Sequence, residues 1–108
     1  MAEIIRDQQN DAPVQKIKKA LDEYEAQHTG AEAALYRQNT ASIRVRVIDR
    51  LFEGMTKSRR HDMVWEFLAA RVDADTLAEV SLLLAIAPAE LRSSLMNYEF
   101  DDPSASQL

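Results

Sequence analysis

Cysteine is absent from this 108-residue chain, and glycine, proline and tryptophan are scarce, at two, three and one. Without cysteine there are no disulfides, no thiolate metal sites and no cysteine nucleophile, and residue usage gives no sign of secretion. Any metal would have to be held by the two histidines and carboxylates. Two isolated glycines, Gly30 and Gly54, do not make a phosphate-cradling loop. No stretch approaches the ~20 apolar residues that cross a bilayer, and the start MAEIIRDQQNDAPVQ has no basic segment leading into an apolar run. The expectation is a soluble cytoplasmic protein without a membrane partner. Basic residues are the minority, 13 Lys and Arg against 18 Asp and Glu, for a net charge of -5. That balance argues against nucleic-acid binding by the protein as a whole, because phosphate contacts need positive potential, but it leaves room for a local basic patch.

A chain of this length fits one domain with one core. Residues 1–12 and 101–108 are polar or small and read as flexible tails around a domain at 13–100. Val14, Ile17, Leu21 and Tyr24 recur at helical spacing, with Asp11 as cap, Pro13 in the first turn and Gly30 past the end. Residues 33–37 then read as a strand, 38–41 as a turn, and SIRVRVID from Ser42 alternates strictly, with Ile43, Val45 and Val47 inward and Arg44 and Arg46 outward. Gly54 permits a sharp turn, Thr56 caps a helix over 57–70, and Met63, Val64, Phe67 and Leu68 form its apolar face. A polar break at Asp73-Ala74-Asp75 follows. The run from Leu77 to Ile86 fits either a buried strand or a helix by periodicity. Taken as a strand over 80–85, it completes an α/β (α+β) order of helix-strand-strand-helix-strand-helix, a three-stranded mixed sheet with helices packed on it. The alternative is a long helix in a mostly α protein. Pro88 opens a last helix, with Leu91, Leu95 and Tyr98 in register. The core expected from these patterns includes Ile17, Leu21, Val45, Val47, Val64, Phe67, Leu68, Val80 and Leu82.

The segment SIRVRVID, followed by Phe52-Glu53-Gly54 and then Arg60-His61-Asp62-Met63-Val64, resembles the BolA family of small stress-associated regulators. There a valine-rich strand leads to a Phe-x-Gly turn and an Arg-His pair opening the next helix. Val80-Ser81-Leu82 and Ala87-Pro88-Ala89-Glu90-Leu91 are similar to that family's last strand and its Pro-containing helix entry. The likeness covers roughly residues 14–95. It implies a KH-like α/β fold, no enzymatic activity, pairing with monothiol glutaredoxins around a shared iron-sulfur cluster, and a role in DNA binding and transcription. In the cluster-sharing form a histidine near the start of the last strand is a ligand, and a histidine or cysteine in the hairpin loop is another. Here the matching strand position is Ala78, and the loop around Asn39-Thr40-Ala41 carries neither residue. A methyl group cannot ligate iron, so no cofactor is expected.

Six residues are candidates for binding nucleic acid or an acidic protein partner: Arg44, Arg46, Lys57, Arg59, Arg60 and His61, with Arg37 alongside. The competing reading is an ordinary solvated face. KH folds that grip single strands use a Gly-x-x-Gly loop, and Gly54-Met55-Thr56-Lys57 supplies only the first glycine. Arg60 points toward its helix's apolar face and needs a carboxylate such as Asp49 or Glu53, which would lock the Phe-Glu-Gly turn onto the helix. His61 sits beside Val64 and Leu68 on the wheel, as a histidine hydrogen-bonded at the edge of the core would. An imidazole can also ligate metal or move protons. His28 lies at a helix end, where positive charge is favourable. Ser42, Ser58, Ser81, Ser93 and Ser94 have no evident base. The expected function is therefore a non-enzymatic BolA-like regulatory or interaction domain, monomeric or weakly dimeric. A KH-like nucleic-acid-binding transcriptional regulator and a glutaredoxin partner in iron-sulfur homeostasis are the alternatives.

Overall fold

A computed structural model describes residues 1–5 and 11–102. The elements are β1 (Glu3–Ile4), α1 (Ala12–Gln27), β2 (Glu32–Asn39), β3 (Ser42–Ile48), a 3-10 turn (Arg50–Phe52), α2 (Lys57–Ala69), α3 (Ala74–Leu77), β4 (Val80–Ile86), a second 3-10 turn (Pro88–Glu90) and α4 (Leu95–Asp101). The class is mixed α and β, as the patterning requires. The sheet, however, has four strands in the order β1-β2-β3-β4 rather than three. β1 runs parallel to β2 and is contributed by residues that composition assigned to a tail. Two residues are too short to show a period, and their pairing is made by backbone groups, as in the bond from Ile5 N to Leu35 O at 2.8 Å. Residues 6–10 and 103–108, the rest of the expected tails, lie outside the described residues.

Local signals explain most boundaries. Asp11 accepts from Val14 N at the start of α1, and Thr56 accepts from Arg59 N at the start of α2. The two-residue turn Thr40–Ala41 joins the antiparallel β2–β3 hairpin, and Asn39 Oδ1 receives Ala41 N at 2.9 Å. Gly54 has φ +81, where a Cβ would be strained, and so releases the chain from the 3-10 turn toward α2. Asp73 caps the one-turn helix α3, formed inside the expected polar break. β4 is a strand parallel to β3, so the long-helix alternative does not hold.

One face of the sheet carries α1, α2 and α3. Val14, Ile17, Leu21 and Tyr24 of α1, Val64 and Leu68 of α2, Phe52, and the strand residues Leu35, Ile43, Val45 and Val47 form the main core. Phe67 and Val80 are only partly buried against it. Leu82 does not join it. Successive strand residues alternate faces, and Leu82 lies with Leu84 on the opposite side, against a smaller cluster of Ala34, Tyr36 and Phe100. The last helix also differs from expectation. Pro88 opens only a 3-10 turn, α4 starts after Ser94, and it buries Asn97 and Phe100 while Leu95 and Tyr98 are 82% and 58% exposed. Ser94 caps that helix, accepting from Asn97 N at 3.1 Å, and so sets its phase.

Candidate functional site

The outward face of the hairpin is occupied. Arg44 Nη1 donates to Glu99 Oε2 at 3.0 Å and Arg46 Nη1 to Asp101 Oδ1 at 2.7 Å and Asn97 Oδ1 at 2.9 Å. Arg46 also lies over the Phe100 ring, 4.7 Å from its centroid, and Tyr36 Oη donates to Phe100 O at 2.7 Å. The two arginines expected in solvent therefore hold α4 on the sheet. Arg37 is not beside them; it pairs with Asp11 and Glu79, and the Asp11 hydrogen bond keeps its guanidinium pKa above the usual value. Period-two alternation removed Arg44 and Arg46 from the main core correctly, but it carries no information about a second cover on the other face.

Arg60 is buried at 5% exposure, and its partner is Glu90, neither Asp49 nor Glu53. Nη1 donates to Glu90 Oε1 at 2.6 Å, Nη2 to Oε2 at 2.8 Å, and Nε to Met55 O at 3.1 Å. Arg60 thus ties the turn before α2 to the chain after β4. The bidentate pair holds the Glu90 carboxyl at about 2, against the opposing effect of burial and with help from the Ala87 N–H and nearby Lys57. Asp49 is instead taken by Tyr24, whose Oη donates to its Oδ2 at 2.7 Å, and by Leu51 N. Burial first, and then that carboxylate, drive the Tyr24 hydroxyl pKa far up.

His61 is exposed rather than tucked against the core, and its ring stacks on Trp65 with centroids 5.9 Å apart. His28 lies at the end of α1, stacked on Tyr24, with Nδ1 3.0 Å from Tyr24 O. Lys57 and Arg59 are exposed on the first turn of α2, a turn that contains no acidic residue. Of the six sequence candidates, Lys57, Arg60 and His61 line a single groove of about 770 Å³ between α2, β4 and the chain leading into α4; Arg44, Arg46 and Arg59 do not.

The floor of that groove is the edge of the sheet. Among the described residues β4 pairs with β3 on one side and with no strand on the other. Along a strand the backbone N–H and C=O of one residue point to the same side, and the side alternates with each residue. Ile86 O accepts from Asp49 N at 3.1 Å, so Leu84 and Ile86 address β3 while Leu83 and Ala85 turn their backbone groups to the open side. Among the described residues, only Arg60 Nη1 reaches that side, 3.5 Å from Ala85 O. The strand VSLLLAI contains no charge and no proline, the usual devices that blunt an edge. Its sequence signal was available: an apolar run on both pleat faces marks a strand covered twice. Which of its long sides stays open depends on strand order, and no local pattern encodes that.

A second groove, lined by Trp65, Ala69, Ala78 and Val80 among others, continues along the start of β4. Lys57, His61, Trp65 and Ala69 follow one another at every fourth residue on α2 and so form a row beside the open edge. Ala78 offers a methyl group, the hairpin turn offers no donor, and no group of three His, Cys, Asp or Glu able to hold a metal occurs among the described residues. No helix among the described residues is long and apolar enough to cross a membrane. Comparison with protein-family models, curated proteins and solved structures finds no match to this chain.

Proposed function

We propose that this chain is a non-enzymatic interaction domain of BolA-like type that binds a strand-forming segment of a partner protein along the open edge of β4. The observation that carries the reading is an uncharged apolar edge strand whose outward backbone groups at Leu83 and Ala85 lie in a groove rimmed by Lys57 and His61. Strand addition supplies affinity through main-chain hydrogen bonds, and the flanking side chains supply selectivity. Leu82, Leu84, Leu95 and Met96 would receive alternate apolar side chains, and Lys57 would favour an acidic residue. The helix and strand order that follows α1 supports the family likeness. Regulation comes with that likeness alone, and the cytoplasmic setting with the composition of the chain.

Display selection of random peptides against the purified protein tests this. Expected are extended sequences alternating apolar and polar residues with at least one acid, whose binding is abolished by Ala85→Pro, which removes an outward N–H and leaves the β3 ladder untouched. Peptides that bind Ala85→Pro as well as the parent would overturn the reading. The nucleic-acid alternative has a narrower basis than the sequence suggested, because Arg44, Arg46 and Arg60 are engaged by Glu99, Asp101 and Glu90.

A further inference from the structure

Resting on the strand-addition reading, we infer that the partner segment received by β4 carries an acidic residue and an aromatic residue four positions apart, the acid against Lys57 and the ring in the pocket beside Trp65. These two anchors lie at opposite ends of the open edge. Lys57 lines the groove with Ala85 and Ile86, whereas Trp65 and Ala69 line the pocket with Ala78 and Val80, so α2 runs antiparallel to β4 alongside the place an added strand would take. Trp65 follows Lys57 by eight residues on α2, which is about 12 Å at the helical rise. An extended segment covers that distance in about four residues. Because four is even, both side chains leave the added strand on one face, toward α2, and the residue midway between them faces His61. The odd positions turn to the other lip, where Leu95 and Met96 are 82% and 47% exposed beside Leu82 and Leu84.

The lining sets the chemistry of each end. At the first, Arg60 and Glu90 neutralise one another, and Lys57 leaves the rim net positive. At the second, a pocket of about 480 Å³ is lined by uncharged side chains alone. Val72 and Leu77 are buried at its floor, while Ala69, Ala74 and Ala78 are exposed and leave its mouth unobstructed. Such a space accepts a ring, and the indole of Trp65 gives that ring an aromatic wall. This end is also where capture by a side chain is needed. The ladder of β4 to β3 shifts register between Val80 and Leu82, so regular main-chain pairing with the segment is confined to Leu83 and Ala85. Beyond them the ring holds the segment down.

Fluorescence anisotropy with labelled peptides tests the inference, with circular dichroism confirming that each protein variant is folded. Each peptide has one glutamate and one phenylalanine in a threonine background, three, four or five positions apart. A separation of four should bind about tenfold more tightly than either odd separation, which turns one anchor to the wrong face and empties the pocket. Trp65 is the only tryptophan, and its emission should shift with the four-spaced peptide but not when alanine replaces the phenylalanine. Ala78→Leu, which fills the pocket from an exposed position, should abolish the advantage of phenylalanine over alanine. Lys57→Glu should transfer the preference from glutamate to lysine. Binding indifferent to spacing and to Ala78→Leu overturns the inference, as does the failure of every peptide to bind at millimolar concentration. If spacing is immaterial while binding is still lost in Ala85→Pro, the anchors are wrong and edge binding stands; binding that survives Ala85→Pro removes the strand-addition reading itself.

Discussion

Arg60 and Glu90, thirty residues apart, meet through two parallel charge-assisted bonds of 2.6 and 2.8 Å that fasten the start of α2 to the segment leaving β4. Because Arg60 is buried and also serves Met55 O, truncating it leaves that carbonyl without its side-chain donor and the Glu90 carboxylate with only the Ala87 N–H. Arg60→Ala should destabilise the protein by roughly 2–3 kcal/mol in urea unfolding. A double-mutant cycle with Glu90→Gln should show coupling well above that of a surface pair. Additive single changes would mean that the pair contributes only packing.

The same pair predicts an acid response of defined sign. The Glu90 carboxyl is held at about 2 when folded, below its ordinary value of 4.5, by the Arg60 hydrogen bonds. The unfolded state therefore binds more protons between these limits, and the contribution is complete above about pH 4.5 and disappears as pH falls toward 2. Glu90 is 41% exposed, so solvent screens part of the effect. The stability of the parent should fall more steeply across that window than that of Glu90→Gln. Parallel curves would contradict the assignment.

Phe52 is fully buried where the 3-10 turn enters the main core. Phe52→Ala should cost about 3–5 kcal/mol through lost burial and the cavity left behind. Chemical denaturation checks it, and a loss below about 1 kcal/mol would show that the turn is not anchored by this ring.

Lys57 and Arg59 should behave in the opposite way. Lys57→Glu with Arg59→Glu gives up the attraction of Lys57 for Glu90 but places negative charge at a helix N-terminus, where the dipole favours it. The melting midpoint should change little, within about 0.5 kcal/mol of stability, while binding of acidic peptides is lost. Unfolding of this variant, or undiminished binding, would remove Lys57 from the docking surface.

Anaerobic reconstitution with iron, sulfide and a monothiol glutaredoxin should give no cluster-bridged heterodimer, since Ala78 and the hairpin turn supply no ligand. Visible absorption reads the outcome. A cluster spectrum of the mixed complex that disappears in His61→Ala would place the ligand on α2 instead.

The legible parts of this fold are those where period and punctuation agree. Asp11, Pro13 and the Val14-Ile17-Leu21-Tyr24 spacing locate α1, and alternation from Ser42 locates β3 and its inward face. The last helix was misplaced because Leu91, Leu95 and Tyr98 imitate helical spacing across a break, while the residues that pack are Asn97 and Phe100. Arg60 was recognisable as a cation in need of a carboxylate, yet proximity in sequence favoured Asp49 and Glu53. Asp49 is committed to Tyr24, and Glu90 arrives from beyond β4. The open edge was the least legible feature. It follows from β3 standing between β2 and β4, which is a property of strand order.

Hydrogen exchange resolved to single amides tests edge binding most directly, comparing free protein with protein saturated by a selected peptide. Free protein should exchange quickly at the outward amides of Leu83 and Ala85 and slowly at Leu84 and Ile86, which face β3. Complex formation should slow Leu83 and Ala85 selectively. Protection that appears on α4 or around Arg44 and Arg46, with Leu83 and Ala85 unchanged, would contradict edge binding.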